Sequence, residues 1–294
     1  MIIINSIQQL KDQLLLFRKQ KKSIGFVPTM GALHQGHLSL IENALKECDL
    51  VICSIFVNPT QFNDLNDLDK YPRTIEKDAQ MLKKAGCDVL FAPEVNEIYT
   101  EQELELKRQK VEDTSWTEGK QVDFGSLDKV MEGAQRPGHF NGVAQVVSKL
   151  FRIVEPQKAY FGQKDFQQLA IIRTMVKQLE MPIEIVACPI IREENGLAMS
   201  SRNERLTKEE RKRAGFIFET LAKMKKLKNN TSIAELKTFV EAQLKTESLI
   251  KLEYFEIADA ETLQSISDLE QAKSAVACIA LKIGEVRLID NILL

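Results

Sequence analysis

The run Asp49-Leu50-Val51-Ile52-Cys53-Ser54-Ile55-Phe56-Val57 is apolar at nearly every residue, not at alternate ones. A strand with one wet face alternates. A strand without alternation is buried on both faces, as in a parallel sheet covered by helices. Shorter apolar runs occur at residues 23–27, 88–92, 158–161 and 183–188. Between them, periodic stretches predict helices over residues 6–18, 38–45, 75–85, 143–153 and 168–179. Strands alternating with helices imply a Rossmann-like, doubly wound α/β domain over residues 1–190, with ligands bound beyond the carboxyl ends of its strands.

Past Asn203 the pattern changes. Thr207-Lys208-Glu209-Glu210 and Ser232-Ile233-Ala234-Glu235 have the form of capping boxes, as does Ser6-Ile7-Gln8-Gln9 near the start. Strand-like runs follow at residues 252–257, 275–281 and 285–289, so residues 191–294 read as a smaller α+β domain. Residues 99–113, rich in Glu, Gln and Lys, read as an exposed loop or a short surface helix.

Composition excludes several classes of partner. With 40 basic and 42 acidic side chains in 294 residues, no overall field favours nucleic acid or an anionic membrane. The five cysteines include no C-x-x-C pair and have apolar neighbours, which suits buried free thiols in a reducing compartment. The start lacks a basic leader and no stretch approaches the length of a membrane span, so a cytoplasmic protein is expected.

Chemistry concentrates in five clusters. In the first, Pro28-Thr29-Met30-Gly31-Ala32-Leu33-His34-Gln35-Gly36-His37 joins a strand to a helix through a glycine turn and holds two of the three histidines. Such a turn leaves backbone amides and the positive end of a helix dipole facing one point, which suits phosphate, and two imidazoles add donors. A structural turn, or half of a zinc site completed by His139 or a cysteine, are the other readings. Asn58-Pro59-Thr60-Gln61-Phe62 brings amides that can read a hydroxyl and a carboxylate, or forms an Asn-Pro cap. Arg136-Pro137-Gly138-His139 reads best as a turn with a capping or packing histidine. Gly162-Gln163-Lys164-Asp165, with Gln168 one turn on, repeats the strand, glycine, helix logic with a compact cation for phosphate and a carboxylate for ribose. Met199-Ser200-Ser201-Arg202 lies between the two domains and can close over a triphosphate.

Together the segments PTMGALHQGH (28–37), VNPTQF (57–62), YPRT (71–74), EGAQRPGHFNGVA (132–144), YFGQKDFQQLAIIR (160–173) and GLAMSSRN (196–203) resemble the pantoate–β-alanine ligase family of the nucleotidyltransferase superfamily. They occur in the family's order along nearly the whole chain. The resemblance implies ATP-dependent joining of (R)-pantoate to β-alanine through a pantoyl adenylate, releasing pyrophosphate and AMP. It also implies a homodimer formed through the first domain, and a requirement for magnesium. By it, Met30, Gly31, Ala32, Leu33, His34, Gln35, Gly36 and His37 cradle ATP, joined by Gly162, Gln163, Lys164, Asp165, Ile191, Met199, Ser200, Ser201 and Arg202. Lys164, His34 and His37 are the catalytic set, with the residue matching His37 described as proton donor; hydrogen-bond donation alone would serve the same end. Gln61 and Gln168 clamp pantoate, Gln61 also neighbours β-alanine, and Asp78 matches a position near the magnesium. The second domain acts as a lid.

The chain departs from the family at Ile98-Tyr99-Thr100, where Met-Tyr-Pro is usual, and at residues 63–66, where a glycine is usual. Both changes concern rim loops rather than the chemistry. The rival readings are another nucleotidyltransferase, a metal-dependent hydrolase built on His34, His37 and His139, and a non-catalytic adenine-nucleotide-binding module.

Overall fold

The computed structural model describes residues 1–62, 68–108 and 122–294. Residues 63–66 and 109–113, on which two of the expectations above fall, lie outside the described residues.

Six strands form one parallel sheet: β1 (Ile2–Ile4), β2 (Ile24–Thr29), β3 (Leu50–Ile55), β4 (Val89–Phe91), β5 (Lys158–Gly162) and β6 (Glu184–Cys188), in the order β1-β4-β3-β2-β5-β6. The apolar run at β3 sits in the middle, and its two sets of side chains go to different cores. Leu50 and Ile52 join Phe26, Phe91 and Phe151 on one face, while Val51 and Cys53 join Val27, Leu40 and Leu90 on the other. This is why the run does not alternate. β2 pairs with β3 on one side and β5 on the other, so the chain winds away from β2 in both directions. That reversal opens a crevice at the carboxyl ends of β2 and β5.

Helices α1 (Ile7–Lys19), α2 (Gln35–Glu47) and α3 (Ile75–Ala85) fall where the periodicity predicts them. Ser6 caps α1 by accepting from the Gln9 amide, but Gln9 does not return a bond to the Ser6 amide, so the expected box is half made; Glu97 takes the next amide, that of Ile7, from across the fold at 2.9 Å. After α4 (Val95–Ile98), the surface helix α5 (Glu101–Arg108) decides between the two readings of this stretch. Thr100, where the family usually has proline, caps it: its hydroxyl takes the Glu103 amide at 3.3 Å, and the Glu103 carboxylate takes the Thr100 amide at 2.7 Å. A short α6 (Met131–Gln135) leads to α7 (His139–Val154), which begins four residues before the expected start, because Phe140 is the one apolar side chain of its first turn. α8 (Phe166–Gln178) follows β5.

Beyond β6, helices α9 (Lys208–Ala214), α10 (Phe216–Leu227) and α11 (Ile233–Lys245) pack on a separate antiparallel sheet of β7 (Ile250–Asp259), β8 (Ala275–Ile283) and β9 (Val286–Leu293). Both expected capping boxes, at Thr207 and Ser232, are complete. This unit has its own core, with Leu221, Met224, Leu236, Val240, Ile257 and Leu281 fully buried. Glu132 of α6 joins the two sheets through ion-paired hydrogen bonds from Arg287, at 2.6 and 2.8 Å, and a bond from the Tyr254 hydroxyl at 2.9 Å. Burial works against the Glu132 charge, but Arg287 and Tyr254 hold its carboxyl below the usual range.

Candidate active site

At the end of β2 the chain turns through Gly31 (φ 83°) and Ala32 (φ 50°), both left-handed. That pair points the Ala32 and Leu33 amides the same way, the geometry of an anion-binding nest. The anion in it belongs to the protein. Asp78, on α3 and 1% exposed, accepts both amides at 2.9 Å and the Thr74 hydroxyl at 3.2 Å. The amides of Gly31, His34, Gly36 and His37 are likewise taken up inside the loop or the first helical turn. The free amides expected for phosphate at this turn are therefore committed to shaping it.

What the loop presents instead is imidazole. His34 is the N-cap of α2, its Nδ1 accepting the Gly36 amide at 3.1 Å, and the His37 Nδ1 accepts the His34 amide at 3.3 Å. The rings lie with centroids 4.0 Å apart. An Nδ1 that accepts leaves the proton on Nε2, so both rings are Nε2–H donors when neutral. Burial, together with the nearby Lys164 ammonium, lowers the His34 pKa to about 4; burial, the neighbouring His34 and Lys164 lower that of His37 to about 3. At neutral pH the loop offers two uncharged Nε2–H donors beside one ammonium.

His139 is of the other tautomer. Its Nδ1 donates to the Gln61 carbonyl at 2.9 Å and its Nε2 accepts from Arg136 at 3.1 Å, with the ring buried in the first turn of α7. Both ring nitrogens are engaged, as the packing reading expects, and the three-histidine metal set does not form. Among the described residues no group of three or more His, Cys, Asp or Glu is placed to hold a metal ion.

The turn Pro59–Gln61 beyond β3 is held from below. Asn58 is 1% exposed and fully used: its Oδ1 accepts from the Thr60 amide and hydroxyl and from Tyr99, and its Nδ2 donates to Gln61 Oε1 and the Gly142 carbonyl. Asn58 is thus the cap and anchor of the turn rather than a reader of substrate. The Gln61 amide lies against the Met30 sulfur, Nε2 to Sδ 2.8 Å, which joins this turn to the first loop.

Across the crevice, β5 ends at Gly162, and Lys164 and Asp165 stand at the head of α8 with Gln168 one turn on. Asp165 is exposed and makes no cap bond. A cavity of about 550 Å³, mouth included, is lined by Lys164, Asp165, Gln168 and Arg202 with Arg136 and His139. The segment Met199-Ser200-Ser201-Arg202 is ordered by its own bonds: Ser200 caps the turn Ser201–Arg205, and the Met199 amide donates to the Ile191 carbonyl at 3.0 Å. It lies over the first loop, since a β-carbon on Gly36 would be 3.6 Å from that of Met199.

The family model for pantoate–β-alanine ligase matches residues 2–293. The chain belongs to the pantoate–β-alanine ligase family. Its relatives include the pantothenate synthetases of Azobacteroides pseudotrichonymphae, 52% identical with 99% of each chain covered, and of Porphyromonas gingivalis strain ATCC 33277, 51% identical at the same coverage. Among solved structures it resembles the pantothenate synthetase of Thermus thermophilus (TM-score 0.86, 41% identity, 99% of each chain). It also resembles the pantoate–β-alanine ligase of Francisella tularensis complexed with β,γ-ATP and β-alanine (TM-score 0.75, 37% identity, 100% of this chain and 97% of that one).

The family motifs do not mark every residue around the cavity beside Lys164. Arg287, Asp290 and Asn291 come to it from β9, and Tyr254 and Cys278 from β7 and β8, whereas His34, His37 and Gln61 do not line it. They stand in strands whose apolar periodicity gives no hint of a polar task. The cue was compositional: Arg287 and the pair Asp290-Asn291 interrupt the apolar residues of the final strand.

Proposed function

We propose that the chain condenses pantoate with β-alanine in two steps, the first an attack of the pantoate carboxylate on the α-phosphorus of ATP. Pyrophosphate leaves, and the β-alanine amine then attacks the carbonyl of pantoyl adenylate, displacing AMP. The observation that carries this reading is the pair of neutral Nε2–H imidazoles, His34 and His37, beside the Lys164 ammonium at the switch point of the sheet. In-line transfer at phosphorus needs positioning and charge stabilisation more than a covalent catalyst. Two donors and a cation supply that without a nucleophile.

In this reading His37 gives a hydrogen bond to the α-phosphate from Nε2–H, the donor left over once its Nδ1 accepts the His34 amide. Lys164 meets the phosphates, Asp165 the ribose hydroxyls, and the Ile191 backbone the adenine. Met199, Ser200, Ser201 and Arg202 close over the triphosphate. Gln61 and Gln168 hold pantoate, with Gln61 also beside β-alanine. Met30, Gly31, Ala32, Leu33, Gln35, Gly36, Gly162 and Gln163 shape the two turns that face the nucleotide.

Magnesium is read differently from the resemblance. Both Asp78 oxygens are occupied by amides, so Asp78 does not fit a metal, and magnesium arrives with the phosphates of ATP. Residues 1–190 and 191–294 act as body and lid. The chain works in the cytoplasm, which its five free cysteines support; among the described residues, no helix is long and apolar enough to cross a membrane. A homodimer through the first domain is supported by exposed Ile2 and Ile3 on the edge strand and Leu15 and Leu16 on α1.

The test is AMP release from MgATP. Release that requires both pantoate and β-alanine is expected. Nucleotide binding without turnover, or hydrolysis that needs no ATP, would overturn the reading.

A further inference from the structure

Asp290 and Asn291, near the end of β9, are polar yet only 4% and 2% exposed. Successive strand residues point to opposite faces, so the two reach different neighbours. Asp290 takes the Arg192 guanidinium in a two-pronged bond of 2.6 and 2.9 Å, and that guanidinium lies 3.7 Å above the Phe218 ring. This pins the chain just after Ile191. Asn291 reaches the other way, its Nδ2 donating to the carbonyls of Gln163 (3.0 Å) and Lys164 (2.8 Å). One dipeptide of the small sheet thus grips both segments that face the nucleotide.

Two features separate this from ordinary packing. Both bonds go to consecutive carbonyls of the turn that carries Lys164, and turning the amide over would set an oxygen against two oxygens. The Asn291 Oδ1 is buried and has no partner among the described residues. A buried acceptor left unpaired costs stability, so the side chain is held for its two donors: an apolar side chain of the same shape would leave the Gln163 and Lys164 carbonyls unpaired instead. What the asparagine supplies is its grip on the turn.

We propose that Asn291 is a positioning residue for adenylate formation: by holding the Gln163 and Lys164 carbonyls, it sets where the Lys164 ammonium stands relative to His34 and His37. The inference rests on the two-step reaction proposed above. The Lys164 charge already depresses both imidazoles, so those rings report where the ammonium is.

The test uses Asn291→Asp and the apolar near-isostere Asn291→Leu in the full chain. In single turnover with MgATP and pantoate, adenylate formation is expected to slow about 10- to 100-fold, while consumption of the adenylate by added β-alanine changes less than about 3-fold. In proton NMR titrations the His34 and His37 pKa values rise while that of His139 stays, and Asn291→Leu, which leaves two carbonyls unpaired, unfolds at a somewhat lower urea concentration than the parent. A rate of adenylate formation equal to the parent's, or both steps slowed alike, would overturn the proposal, as would a lowered urea midpoint with unmoved histidines. If the parent forms no adenylate, the proposed reaction itself fails, and the histidine titrations still decide whether Asn291 places Lys164.

Discussion

Gly142 and Thr60 approach so closely that a β-carbon on Gly142 would lie 2.5 Å from the Thr60 carbonyl oxygen. The approach lets the Gly142 carbonyl accept from Asn58 at 3.1 Å, and through Asn58 it sets the Gln61 amide. A contact this short is backbone against backbone, so it cannot be relieved by a rotamer change. Gly142→Ala is expected to push the Pro59–Gln61 turn off α7, costing about 1–3 kcal/mol of stability. The Michaelis constant for pantoate should rise more than that for ATP. Unchanged constants with a normal urea midpoint would show that the turn can move freely.

Lys164→Ala removes a preorganised cation from a phosphoryl transfer, and the expected loss is about 10²–10³ in rate. Steady-state turnover at saturating substrates checks it. Near-normal turnover would take Lys164 out of the catalytic set.

Asp78→Asn separates anchoring from metal binding. The carboxylate accepts two amides, whereas a carboxamide accepts one and turns a donor toward the other. A loss of about 1–3 kcal/mol is expected, with an unchanged dependence of activity on magnesium concentration. A large shift in that dependence at unaltered stability would return Asp78 to the metal.

All three histidines have folded pKa values below the ordinary one, at about 4, 3 and 4 for His34, His37 and His139. The unfolded chain therefore binds more protons than the folded one between about pH 6.5 and those values, and stability rises with pH across that window. It is fully present above about pH 6.5 and is lost on acidification toward pH 4 and 3, by about 1–2 kcal/mol per histidine at pH 5. Urea midpoints at pH 7.5 and 5 check this. A flat profile would mean that the rings are solvated.

Much of the fold was legible because it rests on local patterns. The unalternating run at β3 required burial on both faces, and the capping boxes at Thr207 and Ser232 mark helices to the residue. The capping box at Thr100 was equally readable in Thr100-x-x-Glu103, and its place in a charged stretch concealed it. The site was legible as composition. Glycine turns with His34, His37 and Lys164 mark the two strand ends that the sheet brings together.

What the sequence by itself determined was which segments become strands, which become helices and where polar chemistry gathers, since period and burial are written within a few residues of each other. The tertiary structure alone decided the tasks of individual groups. Asp78 fills the nest at Ala32 from 46 residues away, and Asn291 holds Lys164 from 127 residues away. The tautomer of each histidine follows from whichever amide or carbonyl the fold sets against its Nδ1. A buried polar atom must find a partner, and chain topology, not local pattern, decides which partner is within 3 Å.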